Sequence, residues 1–190
     1  MTRTILLAGA AALALTLGAC KRTSDEAAMG APDANPEATI PTAANEAAAP
    51  DFVAKAAEAD MFTVESSRVA LERSQNAAVK EFARMMVAGH TQTTADLKAA
   101  VAASGLSITT PEALPADKLS DIARLREASP ADFDRAYMDA QVAGHQATLD
   151  LMARYAQDGD NASLKAVAAA AAPAVQQHLD RAKAIRDGLG

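Results

Sequence analysis

The sequence predicts an all-α fold, a bundle of four helices, and three observations carry that prediction. Half of the 190 residues are apolar, Ala is abundant and only 3% are aromatic, with no Trp, a composition that suits one modest helical domain plus appendages. Four long stretches repeat apolar residues at steps of three and four with few breakers. The connections between them are unequal, two tight and one long.

Taken in chain order, the first element is a leader. A basic start at Arg3 is followed by an apolar run from Ile5 to Leu17 and then by Leu17-Gly18-Ala19-Cys20. Residues 1–19 thus read as a lipoprotein signal peptide with Cys20 as the acylated first residue of the mature chain. The run is too short for a permanent membrane span, which needs about 20 apolar residues. Cys20 is the only cysteine, as expected of a thiol consumed by lipidation in a domain without disulfides. Lys21 rather than Asp follows the cysteine, and resemblance to Gram-negative lipoproteins then implies delivery to the periplasmic face of an outer membrane. The expected location is therefore the bacterial envelope, with the membrane held through the lipid at Cys20.

Residues 20–50 hold Ala, Pro, Glu, Asp, Asn and Thr with little apolar beyond Met29 and Ile40, so they are expected to be a disordered tether. The folded domain is then residues 51–190, opened by Asp51 as a candidate N-cap. Helices are expected over residues 52–74, 77–103, 131–157 and 161–187. The second carries Val79, Phe82, Met86, His90, Thr93, Leu97 and Ala100 as one buried stripe. The third repeats the pattern with Met138, Val142, His145, Leu149 and Met152, and the fourth with Leu164, Ala168, Ala171, Val175, His178, Ala182 and Ile185. Between the second and third lies a long connection, Ser104 to Pro130, containing Pro111, Pro115 and a short helical stretch. A long middle connection lets helices two and three run parallel, as in ferritin-like four-helix bundles. FARMMVAGH ending at His90 and YMDAQVAGH ending at His145 suggest two related helix pairs.

The formal charge of −6 becomes −7 once the leader and its Arg3 are removed, and such a surface repels phosphate backbones, so nucleic acid is not an expected partner. The chain offers no Gly-rich phosphate loop and no Ser in a nucleophile elbow, so no catalytic residue is assigned.

Its three histidines give the one chemical constellation. His90, His145 and His178 fall on the apolar stripes of three different helices, each near its helix centre, so that one central layer can hold them all. Glu65 is similarly central on the first helix. Three neutral imidazoles and a carboxylate suit a single divalent metal such as zinc, and also copper, iron or nickel. The competing reading is that each histidine is a core residue satisfied by a carbonyl, a hydroxyl or water. The Glu-x-x-His pair of di-iron bundles is missing, with Val87, Val142 and Val175 at those positions, which excludes a di-iron oxidase from the expectation. Glu58 and Glu72 read as solvated, and Met85, Met86, Met138 and Met152 as core filling. Gln141, one turn before His145, is either an outer partner of that histidine or simply packed, and Tyr137 is no more decisive.

The segments FVAKAAEADMFTVESSRVALERSQNAAVKEFARMMVAGHTQTTADLKAAV, FDRAYMDAQVAGHQATLDL and AAPAVQQHLDRA resemble the bacterial family called domain of unknown function 4142, over about Asp51 to Ile185. The resemblance implies a ferritin-like bundle, commonly exported or lipid-anchored, and supports roles for His90, His145 and His178. Glu65 resembles the family's acidic position on the first helix, but Thr63 stands where many relatives have another acid, which weakens the expectation of a carboxylate-rich site. Two functions remain open: a metal-binding envelope protein for buffering, sensing or protection, and a non-catalytic interaction module that binds an envelope partner without metal.

Overall fold

The computed structural model describes residues 47–189, and the expected signal peptide, Cys20 and nearly all of the expected tether lie outside them. Five helices account for most of this region: α1 Ala49–Arg73, α2 Ala77–Ala103, α3 Ala116–Glu127, α4 Phe133–Asp158 and α5 Ala162–Asp187. Four are long and match the four periodic stretches to within three residues at each end. The fifth, α3, is the short helical stretch expected inside the long connection.

Local chemistry explains where the helices begin. Asn76 starts α2 by accepting from the backbone N–H groups of Ala78 and Val79, and Asn161 starts α5 by accepting from those of Ser163 and Leu164. The first helix starts differently from the expectation. Asp51 is not its cap; Ala48 is, with Pro50 in the first turn, where a missing N–H costs nothing. The free N–H of Ala49 donates instead to Asp160 Oδ1 at 2.9 Å, from the turn between α4 and α5. Tyr155 Oη donates to the same oxygen at 3.0 Å while its ring stacks on Phe52 with centroids 3.9 Å apart. The carbonyl of Ala47 accepts from the N–H of Asp160. Ala47–Pro50, expected in the tether, therefore belong to the folded unit.

Hydrogen bonds at the ends also fix the directions of the helices. The start of α1 lies at the α4–α5 turn, as just described. At its other end the Arg73 guanidinium donates to the carbonyls of Leu125, Arg126 and Ala128 and lies 4.9 Å over the Phe133 ring, so the end of α1 meets the start of α4. Asn161 Nδ2 donates to the carbonyl of Ser104, which puts the end of α2 beside the start of α5. Helices α2 and α4 thus run in the same direction, and the connection carrying α3 travels the length of the bundle. Around the bundle the order is α1, α2, α5, α4, with α3 against α1 and α4. Among the described residues no helix is long and apolar enough to cross a membrane.

The apolar core comes in two blocks. One, around Phe52, Val53, Leu97, Tyr155 and Leu164, fills the end where α1 starts; the other, around Val69, Phe82, Met86, Phe133, Tyr137 and Met138, fills the end where it finishes. Between them the buried positions turn polar: Asp60, Thr63, Ser66 and Ser67 on α1, His90 on α2, Gln141 and His145 on α4. A polar belt across the middle of a bundle this small costs free energy unless its members find partners.

Candidate metal centre

Helical spacing delivers each histidine to that belt. His90 stands one turn beyond Met86, and His145 one turn beyond Gln141, on stripes whose other members are buried. His178 stands between Val175 and Leu179 on α5, half-buried, with its Cε1 against Gly89 on α2. The three rings converge: centroids are 5.4 Å apart for His90 and His145, 5.7 Å for His90 and His178, and 5.6 Å for His145 and His178. One ring nitrogen from each lies within 4.8 Å of those of the other two.

Which nitrogens are free follows from the hydrogen bonds. His90 Nδ1 lies 2.7 Å from Asp60 Oδ1, and His145 Nδ1 lies 2.8 Å from the carbonyl oxygen of Gln141. Both oxygens are acceptors, so both Nδ1 atoms carry the proton and both Nε2 atoms are left with a lone pair. Nε2 of His90, Nε2 of His145 and Nδ1 of His178 are buried and have no hydrogen-bond partner among the described residues. A buried polar atom left unpaired costs about 1–3 kcal/mol, so three together are a substantial burden for a small domain. A shared ion relieves all three at once. Atoms at the corners of a triangle with sides of 4.8 Å or less lie at most about 2.8 Å from its centre, so each nitrogen need move inward by no more than about 0.7 Å to reach a zinc–nitrogen distance of ~2.0–2.1 Å.

The sequence profile of the family described as Domain of unknown function (DUF4142) matches residues 34–185. The chain belongs to this family. The DUF4142 match ends where the sequence resemblance ended and begins 17 residues earlier than Asp51. No curated protein and no solved structure matches the chain significantly. The family's description names no reaction, so within this DUF4142 domain function has to be read from the site itself.

Of the four residues expected as ligands, three come together and one does not. Glu65 is 40% exposed and pairs with Arg68 on the surface of α1. The helix repeat explains this: five residues beyond the inward-facing Asp60, Glu65 is turned about 140° away from it. Asp60, overlooked in the sequence, takes the inner place. It is buried, on the stripe that also carries Ala56, Ala57, Thr63 and Ser67, and a charged residue on an apolar stripe was the available signal. Besides His90, it accepts from Thr93 Oγ1 at 2.9 Å and meets Thr94 Oγ1 at 3.2 Å. Asp60 is not among the clustered ligands; it acts on the site through His90. Gln141 serves His145 through its backbone carbonyl, while its side chain donates to Ser66 Oγ at 2.9 Å. Tyr137 takes no part in the cluster: its hydroxyl bonds Ser67 Oγ at 2.8 Å, and burial pushes its proton loss well above the usual range.

The electrostatics keep the imidazoles of His145 and His178 neutral. Burial, with repulsion from the neighbouring His90 adding to it, lowers His145 to about 4, against the opposing hydrogen bond to the Gln141 carbonyl. Burial and His90 likewise lower His178 to about 4. At neutral pH an incoming ion would have no proton to displace from either ring.

Proposed function

We propose that this DUF4142 domain holds one divalent metal ion through His90, His145 and His178, and that the chain is an exported lipoprotein, anchored through Cys20 at the periplasmic face of the outer membrane. There it would buffer, sense or sequester the ion. The observation that carries the metal reading is the trio of buried imidazole nitrogens, in a cluster of three rings, that lack hydrogen-bond partners among the described residues. An all-imidazole set suits zinc, copper, iron or nickel, and three protein ligands leave a fourth position open for water or another small ligand. The lipid anchor rests on the sequence around Cys20 alone.

The deciding experiment is elemental mass spectrometry on the full chain purified without chelator, beside His145→Ala. About one ion per chain in the wild type and almost none in the variant is the expected result. A wild type that is empty and takes up no zinc, copper or iron on titration would defeat the metal reading. In that case the alternative, a non-catalytic module that binds an envelope partner, gains ground. What favours it is an open groove of ≈740 Å³ between α1 and α4, floored by alanines such as Ala140 and Ala147 and flanked by Phe62, Leu125 and Leu151.

A further inference from the structure

We infer that Asp60 makes the cluster selective for doubly charged over singly charged ions, an inference that rests on the metal reading above. The three ligating rings bring no negative charge to the ion. Among the described residues, Asp60 is the one acid in the buried polar set. Its carboxylate is held by the Nδ1–H of His90 at 2.7 Å and the hydroxyls of Thr93 at 2.9 Å and Thr94 at 3.2 Å. An ion on Nε2 of His90 therefore has a carboxylate on the far side of the same ring, in a site with little water to screen it.

The energy between that carboxylate and the ion scales with the ion's charge, so a divalent ion gains twice what a monovalent one gains. Expressed as affinity, the factor for the divalent ion is the square of the factor for the monovalent ion. Outer partners of ligating histidines contribute about 10–100-fold to metal affinity. If that contribution is carried by charge, a singly charged ion should receive only about 3–10-fold.

The test compares zinc(II) with copper(I) on the full chain, both by competition with chelators of known strength, copper(I) under anaerobic conditions. Asp60→Asn removes the charge and keeps the shape. Its side-chain oxygen can still accept from His90, and its amide can donate to Thr94 Oγ1 once the single Thr94 hydroxyl hydrogen, shared in the wild type between Asp60 and the His90 carbonyl oxygen at 2.8 Å, turns wholly to that carbonyl. The expected result is a zinc affinity down ~10–100-fold and a copper(I) affinity down ~3–10-fold. Read on copper alone, the potential of the bound ion should rise by about 30–60 mV, at 59 mV per tenfold change for one electron. Equal losses for the two ions would mean that Asp60 only props the ring, and would overturn the assignment. The double variant Thr93→Val with Thr94→Val loosens the carboxylate but keeps its charge, so its zinc-to-copper(I) ratio should match the wild type, and a shifted ratio also overturns the assignment. A wild type that binds neither ion defeats the metal reading and this inference with it, whereas a wild type that binds both with an unchanged ratio in Asp60→Asn defeats this inference alone.

Discussion

Acid should destabilise the metal-free domain in a window set by His145. In the unfolded chain this imidazole takes up a proton near pH 6.5, whereas in the fold it stays neutral down to about 4. Between those values the unfolded state binds more protons, so the contribution of His145 to stability is complete above pH 6.5 and is lost as pH falls toward 4. At ~1.4 kcal/mol per pH unit of separation the full loss is about 3 kcal/mol, of which about 2 kcal/mol should be gone at pH 4.5. Urea titrations followed by helical circular dichroism, with EDTA present, at pH 7, 5.5 and 4.5 measure this directly. With a slope of about 2 kcal/mol per molar urea, the midpoint should drop by about 1 M more in the wild type than in His145→Gln, which cannot titrate there. Carboxylates away from the cluster contribute equally to both proteins and cancel in the difference. A wild-type-minus-variant difference that stays within about 0.5 kcal/mol from pH 7 to pH 4.5 would refute the reasoning, since His145 would then have to be accessible to a proton in the folded state.

Three further outcomes are expected. Zinc at 100 times its dissociation constant should stabilise the wild type by about 2.7 kcal/mol, about 5–10 °C in melting temperature, reversed by EDTA and absent in His90→Ala, as read by scanning calorimetry. Glu65→Gln should leave zinc stoichiometry unchanged and stability within about 0.5 kcal/mol, because its side chain is on the surface with Arg68; a loss of bound zinc would restore Glu65 as a ligand. Asp160→Ala removes the acceptor of both the Ala49 N–H and the Tyr155 hydroxyl and should cost about 1–3 kcal/mol in urea titration while metal content stays the same.

Periodicity made most of this fold readable. Phe82, Met86, Leu97 and their counterparts are buried because the step of three and four that marks a helix also marks its inner face. Pro111 and Pro115 announced the long connection, and His90, His145 and His178 were placed in one layer by counting along their helices. Two things escaped for physical reasons. The start of α1 depends on a bond from Ala49 to Asp160, a partner 111 residues away that no local pattern records. The choice between Asp60 and Glu65 depended on the rotational phase of α1, and an Ala-rich helix with Ser66, Ser67 and Thr63 turned inward gives weak contrast between its faces. Small hydroxyl residues are neutral in a hydrophobicity pattern; only contact with Gln141 and Tyr137 gives them a buried role.

The belt of polar groups between the two apolar blocks has a consequence for alignment as well as for chemistry. Between Val53 and Val69 the buried positions of α1 are Ala56, Ala57, Asp60, Thr63, Ser66 and Ser67, so this stretch offers no large apolar knob to resist a slide by a full turn, about 5.4 Å. Such a slip would separate Asp60 from His90, Ser66 from Gln141 and Ser67 from Tyr137, and push each into hydrocarbon. The polar pairs of the belt therefore act as a vernier, setting the axial position of α1 against both α2 and α4 along the stretch where its own side chains are small.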